Sequence, residues 1–172
     1  MEDAAAHVLA EIGPIALNGL TSLSRTAAEI LARSGGLIEL NGLKNLSDAT
    51  AHAFAGKSGR LRLNGLTNLS DAVAQSLAQF DGQIELKALT SLSDAAATAL
   101  AKHKEGLWLD GVESLSDKAA KALGKHKGED LSLNGLTSLS DTAAQALSRH
   151  ASRMSSVDIP RSPCLGSGRS GR

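Results

Sequence analysis

Aromatic side chains are nearly absent from this 172-residue chain, which has one tryptophan, two phenylalanines and no tyrosine. A core organised around a few large rings is therefore excluded, and burial has to come from aliphatic residues, which the 42% hydrophobic content permits. A single cysteine excludes an internal disulfide framework. An excess of charge of one sign is lacking too. Eighteen basic and eighteen acidic residues leave a formal net charge of zero, without the basic surplus that generic binding to nucleic acid or an anionic membrane draws on. No apolar run approaches membrane-spanning length. Met1-Glu2-Asp3 leads into an alanine-rich stretch with no basic start and no cleavage site, so no signal peptide is expected and a cytoplasmic location is the default.

What the chain has in abundance is repetition. The phrase from Leu131 to Ala144, L-S-L-N-G-L-T-S-L-S-D-T-A-A, recurs from Ile15, Ile38, Leu61, Ile84 and Leu107, in steps of twenty-three residues except the last, which is twenty-four. Self-similarity at such a period is the mark of stacked units. Each copy opens with apolar–polar alternation, as in Leu61-Arg62-Leu63, which predicts a short strand. Asn-Gly follows in four copies and Asp110-Gly111 in a fifth, supplying turn chemistry, whereas the fourth copy has Lys87-Ala88. Ser70-Asp71 and its equivalents predict a helix start, with serine as N-cap and an acid suited to the helix dipole. Alanine pairs and a leucine then recur on one side of a helix of about ten residues, as at Ala96, Ala97 and Leu100. Glycines after the helix, such as Gly59, Gly82 and Gly106, suggest C-terminal caps.

One strand and one helix fill the period and leave no room for two helices, which need roughly 33 residues or more. The expected fold is α/β: a parallel sheet on one side, helices on the other, joined by right-handed crossovers. With L-x-L-x-x-L followed by a helix in six copies in register, residues 1 to 150 resemble a leucine-rich repeat of a bacterial kind. That resemblance implies a solenoid with the sheet on the concave face and short helices on the convex face, and a non-catalytic scaffold that binds a protein or peptide on the concave face. Many members carry Asn or Cys three residues after the second strand leucine, where this chain has Leu20, Leu43, Leu66, Leu89, Val112 and Leu136. The buried asparagine ladder of those members is therefore absent.

Three segments are expected. Residues 1–14 read as a partial repeat or N-terminal capping helix, with Leu9 in the column of Leu31, Phe54 and Leu77, or as a sign that the chain belongs to a longer array. Residues 15–159 form the repeat array, with Val157-Asp158-Ile159 as a late seventh strand ended by Pro160. Residues 160–172 read as a flexible Ser/Gly/Arg-rich tail.

Strand alternation sets an outward row of Ala16, Glu39, Arg62, Glu85, Trp108 and Ser132, and a second of Asn18, Asn41, Asn64, Lys87, Asp110 and Asn134. Arg62 between two glutamates reads as an exposed cross-strand charge ladder, and the asparagines as turn residues. Trp108 with Arg62, Glu85, Lys87 and Asp110 is the candidate binding patch, because an outward tryptophan among charges has the composition of an interaction hot spot. The alternative is that the indole lies over Lys87 or a neighbouring aliphatic stem and binds nothing. His103, His126 and His150 recur at the helix end, where cations suit the dipole. No carboxylate or cysteine column accompanies them, so no metal site and no cofactor is expected. Neither nucleophile elbow nor phosphate loop appears, and Cys164 lacks a positioned base, so no catalysis is expected. The alternative to a binding scaffold is a structural spacer with no dedicated ligand.

Overall fold

The computed structural model describes residues 13–128 and 130–151. The expectations for Leu9, for the late strand at 157–159 and for the tail with Pro160 and Cys164 lie outside the described residues.

Among the described residues six strands and six helices alternate. The strands are β1 (Ile15–Ala16), β2 (Leu37–Glu39), β3 (Ser58–Arg62), β4 (Asp81–Glu85), β5 (Leu107–Trp108) and β6 (Leu131–Ser132). The helices are α1 (Arg25–Leu31), α2 (Asp48–Ala53), α3 (Asp71–Leu77), α4 (Asp94–Leu100), α5 (Asp117–Leu123) and α6 (Asp141–Ala151). The strands form one all-parallel sheet in the order β1-β2-β3-β4-β5-β6. This is a repeat protein of strand–helix units, and the expected register is observed: Ile15, Ile38, Leu61, Ile84, Leu107 and Leu131 are successive partners. No helix among the described residues is long and apolar enough to cross a membrane.

The core is a set of columns. Leu40, Leu63, Leu86 and Leu109 from the strand ends are fully buried, as are Leu43, Leu66, Leu89 and Val112 from the connecting segments. Ala28, Ala51, Ala74, Ala97 and Ala120 face them from the helices, also with no exposed surface. Alanine at that position lets each helix lie close to the sheet, and leucines with Ile38, Ile84, Val112 and Phe54 fill the layer between. The connecting segments need no buried asparagine. The amides of Leu20, Leu43, Leu66, Leu89, Val112 and Leu136 each donate to the carbonyl three residues earlier, from Leu17 to Leu133, in a closed turn.

All five described serine caps of α1 to α5 (Ser24, Ser47, Ser70, Ser93 and Ser116) accept from the amide three residues on, and Ser140 does the same for Ala143. The cap hydroxyl has a second task. Ser70 donates to Asp48 at 3.0 Å and Ser93 to Asp71 at 2.5 Å, while Ser116 and Ser140 donate to Asp94 and Asp117. The starts of α3 to α6 are each thereby tied to the helix before.

Two expectations need correction. Five of the six described helices are shorter than ten residues, with seven in four of them and six in α2, and α6 alone among them reaches eleven. The chain tightens early: in the fourth copy Lys102 and His103 donate to Ala99 and Leu100, three residues back, not four. The second concerns the glycines. The C-cap residues Ala32, Phe54, Ala78, Ala101 and Gly124 are right-handed, and the left-handed glycines Gly35 and Gly56 stand two to three residues further on, in the turns after α1 and α2. The Asn-Gly glycines are not left-handed. A Cβ on Gly65 would stand 2.1 Å from the Asn41 carbonyl oxygen, so this glycine serves the close approach of one turn to the previous one.

Truncating Leu109 to alanine should cost about 2–5 kcal/mol through lost burial plus the cavity left behind. Denaturant titration checks this, and a loss below about 1 kcal/mol would place Leu109 outside the core.

Candidate functional site: the outward face of the sheet

Because strand residues alternate, every buried leucine in the sheet is flanked by residues facing away from the helices. Across the stack Ala16, Glu39, Arg62, Glu85, Trp108 and Ser132 pair in sequence, as expected. Arg62 joins both neighbours: its Nε donates to Glu85 at 2.8 Å and its Nη1 to Glu39. Lys87 Nζ reaches the other Glu85 oxygen at 3.4 Å, and Asn64 Nδ2 donates to that same oxygen at 3.4 Å. Asn18 Nδ2 donates to Glu39 at 3.1 Å.

This ladder is not uniformly exposed. Glu85 retains only 7% of its accessible surface, so the carboxylate is buried on the outer face under its own partners. Burial alone would raise its pKa. Hydrogen bonds from Arg62 and Asn64, with the charges of Lys87 and Arg62, outweigh that and hold it below the usual carboxylate range. The Glu39 carboxyl is lowered as well, first by Asn18 and then by Arg62. Arg62 is held more firmly protonated, chiefly by Glu85 and then by Glu39. A buried carboxylate with three partners is a different object from an exposed ion pair, because loss of any partner leaves charge behind.

The asparagine row also does more than turn the chain. Asn18 Oδ1 accepts from the amide of Asn41 at 3.2 Å, Asn41 Oδ1 from Asn64 at 3.0 Å, and Asn64 Oδ1 from Lys87 at 3.1 Å. Lys87 has no side-chain acceptor, so the ladder stops there. It resumes where Asp110 Oδ1 accepts from Asn134 at 3.3 Å. Asp110 also accepts from the Ser132 hydroxyl.

Trp108 faces out and is half-buried. Its indole does not lie over Lys87. A Cβ built on Gly106 would come within 2.6 Å of Trp108 Cη2 and 2.7 Å of Cζ3, so the six-membered ring occupies the place of a side chain at 106. Residue 106 belongs to the outward row of Arg60 and Gln83, which hydrogen-bond each other at 2.5 Å. The ring is thus turned back along its own strand. Of the five candidate residues, Arg62, Glu85 and Lys87 form one network, Trp108 is the strand partner of Glu85, and Asp110 is engaged with Ser132 and Asn134.

The histidines contradict their reading as helix-end cations. His103, His126 and His150 are at most 1% exposed. The rings of His103 and His126 are stacked with centroids 6.2 Å apart, and His150 lies 5.6 Å from His126 at a tilt of 50°. Burial pushes the pKa of His103 down, opposed by the main chain of Gly82 and Ala78, which stay outside hydrogen-bond geometry with its two unpartnered ring nitrogens. Burial, then the neighbouring His103 and His150, brings His126 down to about 4. His103 and His126 are thus held neutral as aromatic core residues, and His150 packs in the same buried column. Phe80, 2% exposed, occupies the same position three residues after Leu77, which is the signal in the sequence that this column turns inward. No group of three potential metal ligands occurs among the described residues.

Compared with protein-family models and with curated proteins, the sequence matches none.

A histidine whose folded pKa lies below its unfolded value of about 6.5 makes the unfolded state the better proton acceptor between those two pH values. The stability due to the neutral column is thus complete above about pH 6.5 and is lost as pH falls toward about 4. Thermal melts should show a midpoint several degrees lower at pH 5 than at pH 7.5, and His126→Phe should shrink that difference. An undiminished difference in His126→Phe would assign the acid sensitivity to other groups.

Proposed function

We propose that this protein is a non-catalytic scaffold of the leucine-rich-repeat kind, resembling the bacterial members, which binds a protein or peptide on the outward face of its sheet. The sheet would be the concave side of the solenoid. What supports the reading is Trp108: a half-buried indole, bedded on Gly106, at the border of a rigid charge network. A flat aromatic held in one orientation loses little entropy when covered, and the adjacent Glu85, Arg62 and Lys87 can select the partner's orientation by charge. Asp110 closes the patch on the side away from Gly106. No cofactor or metal has a part in this reading, and neither nucleic acid nor a membrane is the partner.

The mutual pairing of Glu39, Arg62 and Glu85 favours a second reading. Charges that already satisfy one another give the array its register, and the protein would then be a spacer without a dedicated ligand.

Trp108 is the sole tryptophan, so its emission reports on this patch alone. A partner captured from lysate on the wild-type protein should shift that emission to shorter wavelength on titration. Trp108→Ala should weaken the complex by at least about 2 kcal/mol, while costing about 1–2 kcal/mol of stability because the ring covers Gly106. Unchanged emission, or a partner held equally by the variant, would remove this face as the site.

A further inference from the structure

The helix side carries a feature unrelated to the sheet-face reading. A groove of about 520 Å³ runs between α4 and α5. Its rims are Lys102, Lys104, Lys118, Lys121, Lys125 and Lys127, six of the nine lysines in the chain. Thr98, Ala101 and Ala122 supply the floor, and no acidic residue lines it.

The concentration has a structural origin. His103 and His126 occupy the same column and are buried, so in Lys102-His103-Lys104 and again in Lys125-His126-Lys127 the flanking lysines are left exposed. Lys118 and Lys121, with Lys125 four residues on, lie along one side of the α5 segment. The charges are largely unanswered. Lys118 reaches Asp94 at 3.8 Å, and among the described residues the other five make no ion pair. In a chain of zero net charge, such clustering creates a local positive field that the composition conceals.

We propose that this groove is a docking site for an acidic peptide segment in which an apolar side chain is flanked by aspartates or glutamates. The alanine floor accepts the apolar side chain, over which lysine stems can close while their ammonium groups meet the carboxylates. Charge complementarity alone would also admit nucleic acid or an anionic bilayer. The groove has no aromatic to stack a base and no arginine to grip phosphate in a fork. Its apolar lining, Ala101 and Ala122, lies between the lysines of two helices, a spacing that suits a single side chain better than a flat bilayer.

The test is fluorescence anisotropy with a labelled peptide of two leucines set among glutamates, and a matched peptide with serines in place of the leucines. Three probes accompany them: the wild-type protein against a single-stranded oligonucleotide, against phosphatidylserine vesicles, and against the peptides at raised salt. The leucine peptide should bind more tightly than the serine one and weaken as salt screens the lysines. Lys121→Glu with Lys125→Glu should weaken it by about tenfold or more, and Lys44→Glu with Lys57→Glu by no more than about twofold. Lys121→Gln with Lys125→Gln should give an intermediate loss, which decides the case should the glutamate variant melt early. Equal loss in the Lys44 and Lys57 variant, equal binding of the serine peptide, or preference for oligonucleotide or vesicles would each overturn the proposal.

Discussion

Constant register is the constraint on which this structure depends. Each strand pairs with the next so that residues twenty-three or twenty-four apart become neighbours about 4.8 Å away. Every position in the repeat therefore faces its own equivalent, and must be able to stack on itself. Leucine, alanine and serine can. At the turns the backbone of one copy comes so near the previous one that no side chain fits, as at Gly42, Gly65, Gly111 and Gly135. Ala88 at the equivalent place in the fourth copy shows that one turn can relax enough to admit a methyl, which bounds the cost of the approach.

Self-stacking also explains the polar ladders. Serine donates to the aspartate one helix back, asparagine accepts from the amide one strand on, and glutamate alternates with arginine because like charges cannot neighbour one another. Each rung satisfies groups that would otherwise be left at helix starts and strand ends. Their energetic weights differ. The serine–aspartate rungs are exposed, whereas Glu85 is buried and depends on Arg62, Asn64 and Lys87 together.

Much of this was legible in the chain. Alternation in Leu61-Arg62-Leu63 located strands and both faces, Ser-Asp located helix starts, and the period fixed the partners. What escaped was set by distances between copies, which no single copy encodes. The asparagine ladder needs the next turn's amide at 3.0–3.2 Å. The burial of His103 and His126 follows from the tight turn after each helix, which rotates that column inward; Phe80 in the same register was the available clue. The indole's bed could not be foreseen from Trp108 alone, since it depends on Gly106 having no side chain.

The fourth and fifth copies are where self-similarity is broken, through Lys87, Gly106, Trp108 and the two Lys-His-Lys triplets, and both proposed surfaces are centred there, with Arg62 reaching in from the third. Their geometry rests on the close approach of successive turns. Gly19 and Gly65 share the same Asn-Gly turn, yet among the described residues a Cβ on Gly19 would meet nothing within 4 Å while one on Gly65 would strike the preceding copy. Denaturant titration of Gly65→Ala should show a loss of about 1–3 kcal/mol, and Gly19→Ala a change within about 0.5 kcal/mol. Equal effects at the two positions would contradict the account, since the glycines would then serve their own turns and not the stacking of one turn on another.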